Sequence, residues 1–318
     1  MGLLMALKYV TESVSEKKTV KFDWWGAITL GIALSSLVLV LDKGIDWGWF
    51  SIESIVSYLV TVLFSTLFIK IEKNHTDPIV DFKFFKIPAF VNTLINNFVV
   101  FMGMMGGIFL IPVFAQTFLG YGATETGFLF MPLAFAMMLG APIGGKLTGK
   151  VEPRYVIAVS TLIAAIALYF FSYLDPRSTA IDIIWPLSLM AFGMGFGMAQ
   201  RTNIIATVVP VHEIGMASSV LALARNVAGA FGIAVFGTIL SNLTESNVSK
   251  IARYSTIHST NPLDYQKAIA LITLKAQISA YGSVFIFASV VLLIGTVLAL
   301  RIKVTKKQME NAGEVHVE

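Results

Sequence analysis

The sequence contains no cysteine and few charged residues for its length. The absence of cysteine among its 318 residues excludes a disulfide framework, a thiolate metal site and a cysteine nucleophile. Charged residues make up 13% of the chain, whereas soluble domains carry about 25%. Because a soluble protein needs charge to cover its surface, this deficit argues against a soluble domain. The small net charge of +4 gives no indication of nucleic-acid binding.

The sequence motifs of common enzymes are also missing. We find no Walker loop, no HExxH and no GxSxG, so nothing supports an ATPase or a hydrolase. We therefore predict that the chain is not an enzyme, and we predict no catalytic residue, no metal and no cofactor.

Long apolar segments dominate what is present. A helix that crosses a bilayer needs about 20 mostly apolar residues, and eight segments qualify. They are residues 25–41, 52–71, 90–114, 126–143, 155–173, 181–198, 216–240 and 281–300. Since these are continuous apolar runs without the alternation of a closed β-barrel, the sequence predicts an all-α integral membrane protein with the lipid bilayer as its surroundings.

The basic residues of the connecting loops predict the orientation. If the N-terminus is cytoplasmic, 16 of the 23 basic residues lie on the cytoplasmic side and six lie outside. The positive-inside rule therefore places both termini in the cytoplasm. The longest connector, residues 241–280, repeats apolar residues at helical spacing over 262–277. We expect this part to form a separate amphipathic helix at the outer interface.

Arg225 is the residue most indicative of function. It lies about 15 Å into the seventh predicted span at 1.5 Å of helix rise per residue. An arginine at that depth costs at least about 2.5–3.5 kcal/mol, so it must face protein or water. With the adjacent Asn226 it could line a substrate cavity, and the alternative is a structural arginine that holds helix ends together.

Polar and methionine side chains form two further candidate sets for the cavity. Asn92 and Asn96 share one face of the third span, where they could line the cavity or bond neighbouring helices together. Met190, Met194 and Met198 form a stripe at spacing i, i+4, i+8. Methionine suits surfaces that accept many apolar shapes, although it also fills gaps in ordinary helix packing.

The sixth span ends in a polar cluster that includes Gln200 and Arg201. We expect these residues at the cytoplasmic face, as anchors or gate contacts, with Glu213 as a partner for Arg201. No Asp or Glu falls deep in a predicted span, although proton-coupled transporters usually need such a residue. The chain therefore offers no obvious proton site of its own.

Four segments resemble the major facilitator superfamily, and within it the fourteen-helix drug/proton antiporters. They are FDWWGAITLGIALSSLVLVLDKG followed by DWGW, then DPIVDFKFFKIPAF, then GFLFMPLAFAMMLGAPIGGKLTGK, and ASSVLALARNVAGAFGIAVFGTIL, which contains Arg225. The resemblance covers nearly the whole chain. It implies a two-helix insert followed by the C-terminal six-helix bundle of that family.

The resemblance also implies a domain division and a gate. Residues 1–22 would be a cytoplasmic remnant of a preceding helix, 23–76 the two central helices, 77–300 the six-helix bundle and 301–318 a cytoplasmic tail. Lys146, Lys150 and Arg154 would belong to the cytoplasmic gate with Gln200 and Arg201. Gly149 stands where the family's loop usually carries an acid, which puts a gating ion pair at that loop in doubt.

The function implied is part of a proton-driven multidrug efflux antiporter in the plasma membrane. Its substrates would be amphipathic or cationic small molecules. Because the family's first six helices have no counterpart, we expect a fragment that needs a missing N-terminal half or a second copy. Two alternatives stay open: a non-transporting remnant membrane protein, and an uptake carrier of the same superfamily.

Overall fold

The structure is a computed structural model that describes residues 23–75, 78–210, 213–254 and 262–302. The secondary structure of these residues is helical. Its elements are α1 (Trp24–Trp47), α2 (Ile52–Asn74), a 3-10 helix (Phe82–Lys86), α3 (Pro88–Phe118), α4 (Ala123–Leu129), α5 (Met131–Gly145), α6 (Pro153–Phe171), α7 (Ala180–Val208), α8 (Ile214–Tyr254) and α9 (Pro262–Leu300). The predicted remnant at 1–22 and nearly all of the predicted tail at 301–318 lie outside the described residues.

Eight helical segments of the described chain are long and apolar enough to cross a membrane. Seven of them are single helices. The remaining one, the fourth in chain order, is Ala123–Gly145, which consists of α4 and α5. This confirms the predicted all-α membrane fold, with two helices, α1 and α2, ahead of the remaining six spans. The division into domains stays a prediction.

The fourth span is interrupted, which the continuous prediction over 126–143 did not include. α4 ends at Leu129 and α5 begins at Met131, with Phe130 between them. Pro132 stands in the first turn of α5. Proline cannot donate a backbone hydrogen bond, and the first turn is the part of a helix that accommodates it best. The chain therefore starts a new helix at this point.

The prediction for residues 241–280 was wrong. α8 continues as one helix to Tyr254, and the segment at 262–277 is the first part of α9. At 41 residues, α8 is about 60 Å long, about twice the thickness of the hydrocarbon core. The amide of Asn247 donates to the carbonyl oxygen of Ala276 at 3.4 Å, so the extensions of the two helices contact each other.

Two buried carboxyl groups join the ends of α1 and α2. Asp23 caps α1 by accepting a hydrogen bond from the Gly26 backbone N–H at 2.7 Å. Glu72, 2% exposed, accepts one from the backbone N–H of Val80. Asp23 Oδ2 and Glu72 Oε2 both lie against Gly26. The Glu72 bond fastens the end of α2 to the connector that follows, and the start of α1 lies beside it at Gly26.

The connector is attached at two points to the six spans that follow it. Phe84 in the 3-10 helix is fully buried, and its ring centroid lies 5.5 Å from that of Phe90 in α3. Lys83 Nζ pairs with Asp81 at 2.9 Å and also with Glu213, which precedes α8. Burial alone would raise the pKa of Asp81, but hydrogen bonds and charge from Lys83 outweigh it and lower that pKa. Hydrogen bonds to Glu213 and Asp81 raise the pKa of Lys83.

Small residues allow α5 and α7 to pack with their backbones in contact. A Cβ atom added to Gly144 would lie 1.9 Å from the carbonyl oxygen of Phe196, and one added to Gly140 would lie 2.4 Å from that of Phe192. No side chain fits at those distances, so the glycines set the spacing of the two helices. This spacing holds α7, the helix that carries the buried Arg201.

Substituting Lys83 with glutamine should lower thermal stability in a pH-dependent way. The lowered pKa of Asp81 contributes stability above its ordinary value of 3.8, which is lost as the pH falls. The raised pKa of Lys83 contributes stability below its ordinary value of 10.5, which is lost as the pH rises. The difference in melting temperature between Lys83→Gln and the wild type should therefore be largest between about pH 3.8 and pH 10.5, and it should become smaller below and above this range. Lys86→Gln, an exposed change in the same 3-10 helix, is the control and should show no such profile.

Gly144→Ala should destabilise the fold, whereas Gly145→Ala should not. Overpacking of a tight contact costs about 1–3 kcal/mol, and the added methyl group at Gly144 would meet the backbone of α7. A Cβ atom at Gly145 meets nothing within 4 Å, and alanine favours the helix. Thermal unfolding in detergent compares the two variants. Equal melting temperatures would show that α5 and α7 are not in backbone contact.

Candidate functional site

A buried arginine lies where four helices meet. Arg201 in α7 is 4% exposed. Its Nε donates to Asn96 Oδ1 of α3 at 3.2 Å, and its Nη2 donates to Thr161 Oγ1 of α6 at 3.0 Å. Asn96 in turn donates through Nδ2 to the carbonyl oxygen of Gly295 in α9 at 2.7 Å. One guanidinium group therefore links α3, α6, α7 and, through Asn96, α9.

The backbone of α7 leaves space for this side chain at Gly197. A Cβ atom there would lie 2.7 Å from Arg201 Nη1 and 2.1 Å from Ser160 Oγ. Glycine at this position lets the guanidinium group fold back along its own helix toward α6. A larger residue would have to displace either the arginine or the serine.

A second arginine approaches the same place from α8. Arg225 is partly buried, and its guanidinium carbon lies 5.0 Å from the ring centroid of Phe101 in α3. This is within the range of a cation–π contact. The buried Nε of Arg225 has no hydrogen-bond partner among the described residues. Asn97 Nδ2 donates to the carbonyl oxygen of Leu221 at 3.3 Å and holds α3 against α8 beside it.

Both arginines line one small cavity, which we call the arginine cavity. Its volume is about 10 Å³, which is room for about one water molecule. Its lining consists of Asn97, Val100, Phe101, Met194, Met198, Arg201, Thr202, Leu221 and Arg225. No acidic residue is among these lining residues. The site therefore combines two cations, polarisable apolar side chains and a few neutral hydrogen-bonding groups.

The structure brings together only some of the residues predicted for the cavity. Arg225, Met194 and Met198 line the arginine cavity, and Asn96 holds Arg201 in place. Met190 is fully buried in the apolar core, so it does not reach the cavity. Asn226 is exposed and Asn92 is half-buried, and neither belongs to the lining.

The expected pairing of Arg201 with Glu213 is wrong, whereas a role of Arg201 at the cytoplasmic gate stays a prediction. Arg201 lies in the buried network described above, and Glu213, its expected partner, pairs with Lys83. Helical spacing contained a signal for this position, because Arg201 follows Met190, Met194 and Met198 on one stripe of α7. A polar residue that continues an inward-facing stripe belongs to the interior.

Gln200 contacts the loop that was predicted to be part of the gate. Its Nε2 donates to the carbonyl oxygen of Gly144 at 3.0 Å and to Thr148 Oγ1 at 2.8 Å. Lys146 and Lys150 are exposed on either side of Thr148. Arg154 pairs with Glu152 and donates to the Tyr155 hydroxyl group at 3.1 Å. A gating role for these residues stays a prediction.

A larger groove of about 690 Å³ lies between α1 and α8. Leu34, Val38 and Ile233 are typical of its apolar lining, and Asp42 is its one charged residue. Volume alone favours this groove over the arginine cavity. It offers fewer fixed polar groups, however, and specific ligand sites need such groups.

A family model described as Major Facilitator Superfamily matches residues 23–233. Among curated proteins, the chain is 27% identical over 239 residues to Multidrug resistance protein Stp of Mycobacterium tuberculosis, covering 75% of this chain and 44% of that protein. It is 29% identical over 249 residues to Quinolone resistance protein NorB of Staphylococcus aureus, covering 76% and 53%. The chain therefore spans about half the length of these relatives.

A solved structure shares the fold. It is that of a bacterial homolog to the human lysosomal transporter Spinster, in an inward-facing and occupied conformation. The TM-score is 0.55 at 19% sequence identity, over 89% of this chain and 66% of the other. At this identity the likeness shows the fold alone.

Asn96→Ala should destabilise the protein through Arg201. The substitution removes the acceptor for Arg201 Nε and the donor for the carbonyl oxygen of Gly295. An unsatisfied buried polar group costs about 1–3 kcal/mol, and more if it is charged. Asn92→Ala, one turn earlier on α3 and half-buried, is the matched control. A melting temperature for Asn96→Ala no lower than that of Asn92→Ala would contradict the network.

Proposed function

Because the chain belongs to the major facilitator superfamily, we propose that it forms part of a multidrug efflux antiporter driven by protons. The curated relatives named for multidrug and quinolone resistance support export over uptake. The proposal depends on one observation, the arginine cavity between α3, α7 and α8. A mobile helix bundle with a polar site at its centre is what alternating access requires.

The lining of this cavity suits ligands of variable shape. Met194 and Met198 lie beside Phe101 and present flexible, polarisable surface, which adapts to different apolar groups. The arginines supply a fixed polar point that orients a ligand. Amphipathic small molecules, with one apolar and one polar end, combine both requirements.

Transport would require a second bundle. Alternating access moves two bundles against each other around a site near the membrane midplane. The family members matched here are about twice as long as the aligned region. We propose that the partner bundle is the N-terminal half of a longer protein or a second copy of this chain, and that it brings the proton-coupling group.

The proposed location is the plasma membrane, with both termini in the cytoplasm. The excess of basic residues in alternate loops supports this orientation. Lys83, Lys86, Lys146 and Lys150 all lie in exposed positions of such loops.

Arg225→Ala should abolish transport while leaving insertion intact. The change removes one of the two cations of the cavity, and the side chain is only partly buried, so folding should survive. Arg253→Ala, an exposed change near the end of the same helix, is the matched control. Efflux is measured in cells that lack their own pumps, with membrane content measured for each variant. Unchanged efflux in Arg225→Ala would exclude the cavity as the substrate site.

The assay should compare the chain alone with the chain extended by its upstream reading frame. A cationic, a neutral and a carboxylate-bearing fluorescent dye are each followed with and without an uncoupler of the proton gradient. Efflux that the uncoupler abolishes, from either form, supports a proton-driven exporter. No efflux of any dye from both forms would contradict it.

A further inference from the structure

Two positive charges share one small space in the interior of the bundle. Arg201 is 4% exposed, and Arg225 lines the same cavity from the neighbouring helix. Both side chains line the same cavity of about 10 Å³, so their charges are close to each other. Like charges that lie close together in an apolar environment repel each other strongly.

The described surroundings supply some hydrogen bonds to the two arginines but no negative charge. Arg201 donates to the neutral oxygens of Asn96 and Thr161. Arg225 has its ring contact with Phe101, and its buried Nε has no partner among the described residues. Buried charges in proteins are paired as a rule, because leaving one unpaired is costly. The cavity is thus short of an anion.

We propose that Arg201 and Arg225 form a binding site for a carboxylate group carried by the transported molecule. The planar guanidinium group matches the two oxygens of a carboxylate and binds them in parallel. Since the cavity has room for only about one water molecule, it must widen to admit the two oxygens of a carboxylate, and it does not hold a whole drug. The apolar part of the transported molecule would stay outside the cavity and pack against Met194 and Met198.

This inference rests on the proposed function and changes its substrate class. The sequence led us to expect amphipathic or cationic compounds. A cationic head group at this site would meet two like charges, with no acidic residue in the described lining. Anionic or zwitterionic amphipathic compounds fit the charge of the site, and purely cationic ones do not.

A carboxylate could also come from an acidic side chain of the protein itself, packed onto this face. The two sources differ in what removal of Arg225 does to the ligand-free protein. If an acidic side chain fills the site, losing Arg225 breaks an ion pair and lowers the melting temperature. If a transported molecule fills it, the same change relieves an uncompensated repulsion, which outweighs the lost ring contact with Phe101, and the ligand-free melting temperature is not lowered.

The test is direct binding to the purified 318-residue chain in nanodiscs. Three probes with the same apolar body are compared: pyrenebutyrate, pyrenebutanol and pyrenebutyl trimethylammonium. Energy transfer from the protein's tryptophans to pyrene reports binding. Since hydrogen bonds between two charged groups are stronger than those to a neutral group, pyrenebutyrate should bind at least about tenfold more tightly than either other probe.

Arg225→Gln should reduce the preference for pyrenebutyrate to about twofold or less, because both the positive charge and the paired N–H donors of the guanidinium group are lost. Arg253→Gln, exposed on the same helix, should keep it in full. Pyrenebutyrate should also raise the melting temperature of the wild type but not of Arg225→Gln. This readout does not require Arg201 to be changed, so the folding network around it stays intact.

Two results would overturn the inference. One is equal binding of the three probes to the wild type. The other is a lowered ligand-free melting temperature in Arg225→Gln together with no carboxylate preference, which would assign the site to an acidic side chain of the protein. Failure of efflux in the cell assay leaves the binding result unaffected, so failure of the transport proposal and failure of the carboxylate site are told apart.

Discussion

The burial of the Arg201 guanidinium group is the constraint around which the bundle is organised. A charged group away from water must find its partners within the protein. Here the partners come from α3 and α6, and Asn96 extends the network by donating a hydrogen bond to Gly295 in α9. The relative positions of these helices along their axes are thereby fixed, since a shift of one turn would break the hydrogen bonds.

Close backbone packing makes that network possible. Gly197 gives the arginine its space, and Gly144 lets α5 touch α7 on another side. On the other flank, a Cβ atom added to Gly232 of α8 would lie 2.1 Å from the carbonyl oxygen of Met102 in α3. In lipid there is little hydrophobic drive between helices, so such contacts and interhelical hydrogen bonds hold them together. The α3–α8 contact is also what brings Arg225 to Phe101 and to the arginine cavity.

Hydropathy was enough to predict the spans, because each must be apolar over the bilayer thickness. It failed at residues 241–280, where polar residues such as Asn242, Asn247 and Lys250 end the apolar run but not the helix. Arg225 and Asn96 could be picked out from sequence because a polar group inside a span is expensive. The meeting of Arg201 with Arg225 could not, since it depends on how α7 and α8 are rotated and spaced in three dimensions.

Counter-charges are distributed unevenly along the bundle. At one end, Glu72 accepts a hydrogen bond from the connector, and Lys83 of the connector forms ion pairs with Asp81 and Glu213. In the arginine cavity, the described groups leave two cations without a counter-charge. Buried charges are paired as a rule, and proteins that break this rule usually do so at functional sites, with stable regions elsewhere compensating for the cost. Here the hydrogen bonds from Arg201 to Asn96 and Thr161 hold one of the two cations in place. Arg225, which is less buried and lacks one hydrogen bond, is therefore the group free to respond to an incoming anion.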